Sequence, residues 1–229
     1  SIDKMVWSSG QYAAKFNGGD LFKPEGYVTD YYTQEALKVI DENKNRPFFL
    51  YLSHWAIHNP LQALRSDVEN MSHMSGHNLQ VYSGMIAALD RSIGLIIKKL
   101  KELDIYGKTL IIFTSDNGGA GYIGIPEVNQ PFRGWKITMF EGGLRVPMMI
   151  KWPSKIPPST INNTPVAHID IMPTIVAAAG TNNEGVTIDG LYILPLITGN
   201  GEAKREREAL FWQNGHYQAG RHGGWKLQV

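Results

Sequence analysis

Amphipathic segments alternate with short apolar runs along this chain, and that alternation constrains the fold more than any other feature. Apolar residues recur at helical spacing over residues 28–45 and, more clearly, over 78–107. The aromatic or aliphatic runs 48–55, 109–115 and 146–152 are short enough to be strands buried in a sheet. The order helix, strand, helix, strand predicts an α/β fold with a doubly wound sheet and right-handed crossovers.

Start and stop signals bound the predicted helices. Thr29 or Asp30 is expected to cap the first helix, and Asp170 to cap a shorter helix over 170–180 that ends at Gly180. The long helix carries one apolar stripe, made of Met85, Ala88, Leu89, Ile93, Ile96, Ile97 and Leu100.

The composition and the hydrophobic pattern of the sequence change after residue 180. Residues 181–190 are predicted to be a loop and 202–208 a solvated charge run, whereas 209–229 alternates like antiparallel strands joined by glycine-containing turns. We therefore predict an α/β domain over 1–180 and a linker with a small antiparallel C-terminal subdomain over 181–229.

Composition excludes several classes of function. The 229 residues include 22 basic and 21 acidic side chains, so bulk charge favours neither a nucleic acid nor an anionic membrane as partner. No apolar run approaches the roughly eighteen residues of a membrane span. The chain has no cysteine, which excludes a disulfide, a cysteine zinc site and a thiol nucleophile within it. The first residue is Ser1, without a leader pattern, and we expect a processed product or a piece of a longer protein.

Asp116 and Asn117 directly follow the second apolar run, 109–115, and are themselves followed by two glycines. Asn-Gly favours a tight hairpin turn, which is one interpretation. The other is a pair of ligands, because ligand groups gather at the carboxyl ends of strands in open α/β sheets. A carboxylate and an amide oxygen suit a hard cation such as Ca²⁺, which needs about six to eight oxygens and hence further ligands from elsewhere.

Two other places carry candidate groups. His54 and His58 have the spacing of a helical zinc pair, but Asn59-Pro60 interrupts a helix and a zinc pair is not expected. A single functional histidine or a structural one both remain open. Lys136 near a Gly-Gly turn is either solvated surface charge or a fixed cation for a sulfuryl or phosphoryl group.

Five stretches, in order along the chain, resemble the sulfatase family of the alkaline-phosphatase-like superfamily. They are FFLYLSHWAIHNPLQ, YSGMIAALDRSIG, LIIFTSDNGG, FRGWKITMFEGGLRVPMMIKWP and HIDIMPTIVAAAG. The segments HNPLQ and RGWK with EGG look nearest to the arylsulfatase branch. The resemblance runs from about residue 28 to the C terminus and implies an incomplete alkaline-phosphatase-like sheet.

The resemblance also implies roles for particular residues. Asp116 and Asn117 would bind one Ca²⁺ ion, Lys136 would contact the sulfate, and His58 would help to protonate the leaving group. Glu141 and Arg145 would be structural. The implied substrate is an organic sulfate ester, and the implied compartment is periplasmic, secreted or lysosomal.

The family's nucleophile has no counterpart in this sequence. It is a formylglycine made from Cys or Ser in a Cys/Ser-x-Pro-x-Arg motif, expected upstream of the matched stretches. We therefore expect the chain alone to be inactive and to self-associate through an uncovered sheet surface. The alternatives are a phosphate or phosphonate ester hydrolase of the same superfamily and a non-catalytic binding module.

Overall fold

The computed structural model divides the chain into two units. The first comprises residues 1–106 with 123–125, and the second comprises 107–122 with 126–229. No described helix is both long and apolar enough to cross a membrane. The structure describes residues 2–8, 11–126, 128–182, 184–199 and 209–229.

A three-stranded antiparallel sheet begins the first unit, with β2 at its centre. Its strands are β1 (Ile2–Ser8), β2 (Gln11–Phe16) and β3 (Leu21–Phe22). The chain turns after β2 at Asn17 and Gly18, whose φ angles are 49° and 72°. The Asn-Gly pair is a hairpin signal that the sequence predictions above leave unused, so this sheet was not predicted.

Three helices complete the first unit: α1 (Val28–Asn43), α2 (Arg65–Asn70) and α3 (His77–Glu102). The long α3 packs against both of the others, as its apolar stripe predicts. A 2.6 Å hydrogen bond between the hydroxyls of Thr33 and Ser92 joins α1 to α3. The face of α1 that is buried consists of Thr29, Thr33, Ala36 and Ile40.

An ion pair and a close backbone approach hold α2 to α3. Nη1 and Nη2 of Arg91 donate to the carboxylate of buried Asp67 at 2.8 and 2.9 Å. A Cβ on Gly84 would lie 3.2 Å from the Cβ of Ala63, so glycine lets the segment before α2 approach α3.

Both long helices occur where they were predicted, with shifted ends. The expected caps Thr29 and Asp30 are wrong, because α1 begins at Val28 and its N-cap is Tyr27, without a side-chain cap. Helix α3 ends at Glu102, before 107. Asp104, in the left-handed conformation (φ 54°), ends the helix. Its N–H donates to the carbonyl of Lys101 at 3.0 Å, and the N–H of Ile105 donates to the carbonyl of Leu100 at 3.0 Å, which together make a Schellman motif.

The predicted strand over 48–55 is wrong, because these residues form no strand with any described segment. Side chains along the run alternate between exposed and half-buried. Phe49 and Tyr51 are 70% and 81% exposed, whereas Leu50 and Leu52 are partly covered. A strand requires a partner ladder, and an apolar run alone does not provide one.

The other two predicted strands form a pair in the second unit. Strand β4 (Ile111–Thr114) runs antiparallel to β5 (Met148–Lys151), with Thr114 opposite Met148. Both strands were expected to be fully buried, but neither is, and Met149 is 58% exposed. The crossover predicted from the alternation therefore does not join these two described strands. The short helix α4 (Glu141–Leu144) directly precedes β5.

The predicted helix over 170–180 is α5 (Ile171–Ala178), and Asp170 occupies its N-cap position. The carboxylate does not cap α5 itself. It accepts N–H hydrogen bonds from Ala167 and Leu191, both at 2.7 Å, and thereby ties two loops together. Gly180, with a φ of 72°, ends the helix as expected. A short helix α6 (Leu194–Thr198) follows.

The predicted C-terminal antiparallel sheet is confirmed. Strands β6 (Ala209–Asn214), β7 (Tyr217–His222) and β8 (Trp225–Gln228) are consecutive neighbours. Gly215 and Gly223, with φ angles of 60° and 54°, make its turns. The predicted charge run 202–208 lies outside the described residues, and the predicted domain boundary after residue 180 stays a prediction.

Candidate active site

Strand β4 presents Asp116 and Asn117 just beyond its last residue. The hydroxyl of Ser115 donates to the carbonyl of Asn117 at 2.9 Å and fixes the bend between them. The carboxylate of Asp116 is exposed, and no hydrogen bond or ion pair to another described residue engages it. The amide nitrogen of Asn117 donates to the carbonyl of Gly118 at 3.1 Å, so a cation at this place would meet the amide oxygen.

The two glycines after this pair do not make a hairpin. The N–H of Gly118 donates to the carbonyl of Gly143 at 3.0 Å, and a Cβ on Gly118 would clash with the carbonyl of Gly142. A Cβ on Gly142 would in turn clash with the carbonyl of Gly134. Glycine is therefore required here because three backbone segments lie in direct contact.

These contacts bring Lys136 to the Asp-Asn loop. The N–H of Lys136 donates to the carbonyl of Gly119 at 3.2 Å. Its side chain is partly buried, and Nζ lies 5.3 Å from the centre of the Tyr122 ring. The ring of Trp135 meets Tyr122 edge-on at 5.8 Å. The face of the Tyr122 ring thus attracts the Lys136 cation. We call residues 116–122 and 129–136 the loop cluster, and it includes both Lys136 and Asp116.

Asn129 clamps the loop cluster and was not predicted. Its side-chain oxygen accepts from the N–H of Gly119 at 2.7 Å, and its side-chain nitrogen donates to the carbonyls of Gly119 at 2.9 Å and Gly134 at 3.1 Å. One amide group therefore satisfies three backbone groups on two segments. The local sequence around Asn129 contains no motif that indicates this.

His168 is a second residue without a predicted role. Its Nε2 lies 2.9 Å from the carbonyl of Ser115, to which it donates, and 3.3 Å from the hydroxyl of Thr114. The ring therefore braces the end of β4 one residue before Asp116. Its position at the start of HIDIMPT is the only signal that could have indicated it.

Glu141 and Arg145 have structural contacts, as expected. The Lys226 ammonium of β8 lies 2.8 Å from the Glu141 carboxylate. That hydrogen bond lowers the pKa of Glu141, despite partial burial. The Arg145 guanidinium stacks at 4.6 Å over the ring of Phe132. The C-terminal sheet is thus attached to the segment that carries Lys136.

His58 belongs to the first unit, whereas the structure brings Asp116, Asn117 and Lys136 together in the second. The His58 ring is exposed and lies 5.5 Å from the ring of Trp55. Its Nδ1 lies 2.7 Å from the carbonyl of Asn59 and donates to it.

His54 serves the core of the first unit. Its Nε2 lies 3.0 Å from the hydroxyl of Ser92, and its ring meets Tyr32 edge-on. Burial lowers the pKa of His54, because the charged ring would lose its hydration. Within the described residues, no group of three or more His, Cys, Asp or Glu side chains could hold a metal ion.

The groups after β4 nevertheless fit part of a calcium shell. The unengaged carboxylate of Asp116 and the amide oxygen of Asn117 are hard oxygen donors on adjacent residues. Ca²⁺ takes about six to eight oxygens, so these two would be a minority of its ligands.

Comparison with known proteins gives consistent matches. The family model described as Sulfatase matches residues 3–181. Steryl-sulfatase of Mus musculus is 32% identical over 214 residues, covering 88% of this chain and 33% of the relative. N-acetylgalactosamine-6-sulfatase of Canis lupus familiaris is 35% identical over 181 residues, covering 76% and 33%. The chain thus spans about a third of the length of these curated relatives.

A solved structure is similar over nearly the whole chain. Ps i-CgsB, crystallised in complex with k-i-k-neocarrahexaose, has a TM-score of 0.84 and 32% sequence identity, and the match covers 94% of this chain and 49% of that one. The fold that the chain shares with the similar structures is alkaline-phosphatase-like, which confirms the predicted fold class.

Proposed function

This chain belongs to the sulfatase family. From that premise we propose that it forms the part of an active site that binds Ca²⁺ and the sulfate group, in an enzyme that hydrolyses organic sulfate esters. One observation carries the proposal. The hydrogen bond from Lys136 to Gly119, together with the Asn129 clamp, places a partly buried lysine in the same loop cluster as Asp116 and Asn117. Opposite charges assembled in this way suit a cation and a sulfate bound side by side.

Each residue has a distinct part in the proposal. Asp116 and Asn117 supply oxygens to a Ca²⁺ ion, and a bound divalent ion would offset negative charge on the sulfate. Lys136 adds a fixed positive charge at the sulfuryl group and its leaving oxygen. His58, with Nδ1 donating to Asn59, carries on Nε2 the proton that the leaving alcohol requires.

The substrate belongs to a broad class. The similar proteins carry the names steryl-sulfatase and N-acetylgalactosamine-6-sulfatase, and one similar structure holds a neocarrahexaose. The two sulfatase names share a sulfate ester and differ in the alcohol. We therefore propose an organic sulfate monoester as substrate, in a periplasmic, secreted or lysosomal compartment.

The nucleophile is proposed to come from residues outside this sequence. The 229 residues contain no cysteine and no Ser-x-Pro-x-Arg motif from which a formylglycine could arise. "Assembled enzyme" denotes here this chain together with a segment that bears the formylglycine. By itself the chain is expected to stabilise the charge of a bound sulfate ester but to lack the nucleophile that attacks sulfur.

The experiment compares three esters of one alcohol: a sulfate, a phosphate and a phosphonate monoester. The assembled enzyme with Ca²⁺ should turn over the sulfate ester fastest, and removal of calcium should abolish this rate. The chain alone should give the background rate. Preference for the phosphonate ester would favour the phosphate and phosphonate alternative. Binding of the sulfate ester without any turnover would favour a non-catalytic module.

A further inference from the structure

The positively charged side chains of the segment 132–145 share one kind of environment. Each of its three cations lies over an aromatic ring, with the charged group 4–6 Å from the ring centre. The pairs are Arg133 with Phe140 at 4.1 Å, Lys136 with Tyr122 at 5.3 Å and Arg145 with Phe132 at 4.6 Å. Energetically significant contacts of this kind occur about once per 70–80 residues in proteins. Three in so short a segment indicate that it uses ring faces to hold its positive charges.

An aromatic ring holds a cation without cancelling its charge. A carboxylate beside a lysine would compete with a bound sulfate for the ammonium, whereas a ring has no net charge and attracts the cation only through its negative face. Glu141 is the one acidic residue of the segment, and its carboxylate pairs with Lys226 of β8 at 2.8 Å. Support by a ring therefore suits a lysine whose charge serves a bound anion.

Backbone contacts fix the main chain on either side of Lys136. The hydroxyl of Thr138 accepts from the N–H of Trp135 at 3.1 Å and donates to the carbonyl of the same residue at 2.7 Å. The resulting turn holds Ile137 at a φ of 91°, which a β-branched residue rarely adopts. Such strain persists only where the surrounding contacts determine the conformation. A lysine side chain remains rotatable when its main chain is fixed, so the ammonium requires contacts of its own.

Tyr122 lies where it can supply such a contact. Its ring centre is 5.3 Å from Nζ of Lys136, within the roughly 6 Å range of a cation–π interaction. The Trp135 ring meets it edge-on, at 5.8 Å and an interplanar angle of 84°. Trp135 in turn packs on the backbone of Gly121, where an added Cβ would lie 3.0 Å from the indole. Trp135 thus helps to orient Tyr122, which is 50% exposed.

We propose that Tyr122 is a positioning residue, whose ring face holds the Lys136 ammonium where it meets the sulfuryl group, and that Trp135 supports the ring. This role rests on the proposed function, because the position of Lys136 matters only if that lysine acts on the substrate. The proposal assigns no part to the phenol hydroxyl. Tyr122→Phe should therefore keep kcat/KM near the original value, whereas Tyr122→Leu should lower it roughly tenfold.

Stepwise fluorination of the ring tests the proposal with little change of shape. Fluorine withdraws electron density from the ring face and so weakens its attraction for a cation. Phenylalanine and its mono-, di- and trifluorinated forms are introduced at position 122 of the assembled enzyme. We expect the logarithm of kcat/KM to fall linearly with the number of fluorines, by roughly tenfold in total. A ring with a merely structural role gives no such trend, and equal kcat/KM for all four rings would overturn the proposal.

Tyr106 provides a matched control. Its ring centre lies 5.1 Å from Nζ of Lys101, just after α3 and outside the loop cluster. The same four rings at position 106 should leave kcat/KM unchanged. Similar slopes at positions 106 and 122 would mean that fluorination does not act through Lys136, and would overturn the proposal.

Binding of inorganic sulfate in the presence of Ca²⁺, measured by titration calorimetry of the assembled enzyme, gives a readout without turnover. Its affinity should fall with each fluorine at position 122, and this dependence should vanish in a Lys136→Met background. A slope that persists in that background would overturn the proposal. If the enzyme prefers the phosphonate ester, the proposed function fails, and the slope measured on that ester still tests Tyr122. If it turns over none of the esters, the affinity for sulfate replaces kcat/KM as the test.

Discussion

At the scale of single residues, His58 and Lys136 are proposed to act on different atoms of the substrate, which their substitution can separate. His58→Ala should slow esters of poor leaving groups far more than activated aryl sulfates, because only the former need a proton on the leaving oxygen. Lys136→Ala should slow both, since its charge acts on the sulfuryl group. The measurement is kcat/KM of the assembled enzyme over a series of leaving groups. An equal loss across the series for His58→Ala would reduce that residue to positioning.

His54 makes stability depend on pH. Burial lowers its folded-state pKa below the ordinary value of 6.5. Its neutral form therefore contributes stability that is present above pH 6.5 and is lost as pH falls through the lower folded value. We expect the thermal unfolding midpoint to decrease when the pH is lowered from 7.5 to 5.5, and we expect His54→Gln to make this decrease smaller. Replacement of the exposed His73 by Gln is the control and should keep the original profile; equal slopes for both variants would contradict the assignment.

At the scale of elements, the site depends on the close contact between the loop after β4 and the loop before β5. A Cβ at Gly118 has no room against the carbonyl of Gly142. Gly118→Ala should therefore destabilise the chain by roughly 1–3 kcal/mol and lower sulfate ester turnover, because the loop that carries Asp116 must shift. Thermal unfolding and turnover measure the two effects.

Gly94→Ala is the matched control. Gly94 lies within α3, and an added Cβ meets nothing within 4 Å. Alanine in a helix interior is more favourable than glycine by about 0.5–1 kcal/mol, so the unfolding midpoint should rise. If Gly118→Ala were as stable as Gly94→Ala, the close contact would not support the site.

The sequence predicted those parts of the site that are encoded locally. Asp116 and Asn117 follow an apolar run that does become β4, and the helices α1, α3 and α5 follow from the spacing of their apolar residues. Asn129 and His168 were missed because their contacts join segments ten and more than fifty residues apart. The run 48–55 was misassigned because apolar composition does not reveal whether a partner strand is present.

At the scale of the whole molecule, exposed apolar side chains predict self-association. The rings of Phe49 and Tyr51 are largely exposed, as is Met149 of β5. We expect the apparent mass of the isolated chain to rise with concentration in size-exclusion chromatography with light scattering. The double variant Phe49→Ser with Tyr51→Ser should shift the equilibrium towards the monomer. Ile161→Ser, at a position 88% exposed, is the control, and an equal effect there would contradict a specific surface.

The central proposal is that the Asp116 carboxylate helps to bind a Ca²⁺ ion, which would offset the negative charge of a sulfate ester. The measurement that tests it most directly is kcat of the assembled enzyme on an aryl sulfate, with Asp116→Ala compared against Asp90→Ala, an exposed carboxylate on α3. We predict a loss of roughly a thousandfold for Asp116→Ala, without recovery in added calcium, and a rate near the original for Asp90→Ala. Near-original turnover in Asp116→Ala would contradict the account.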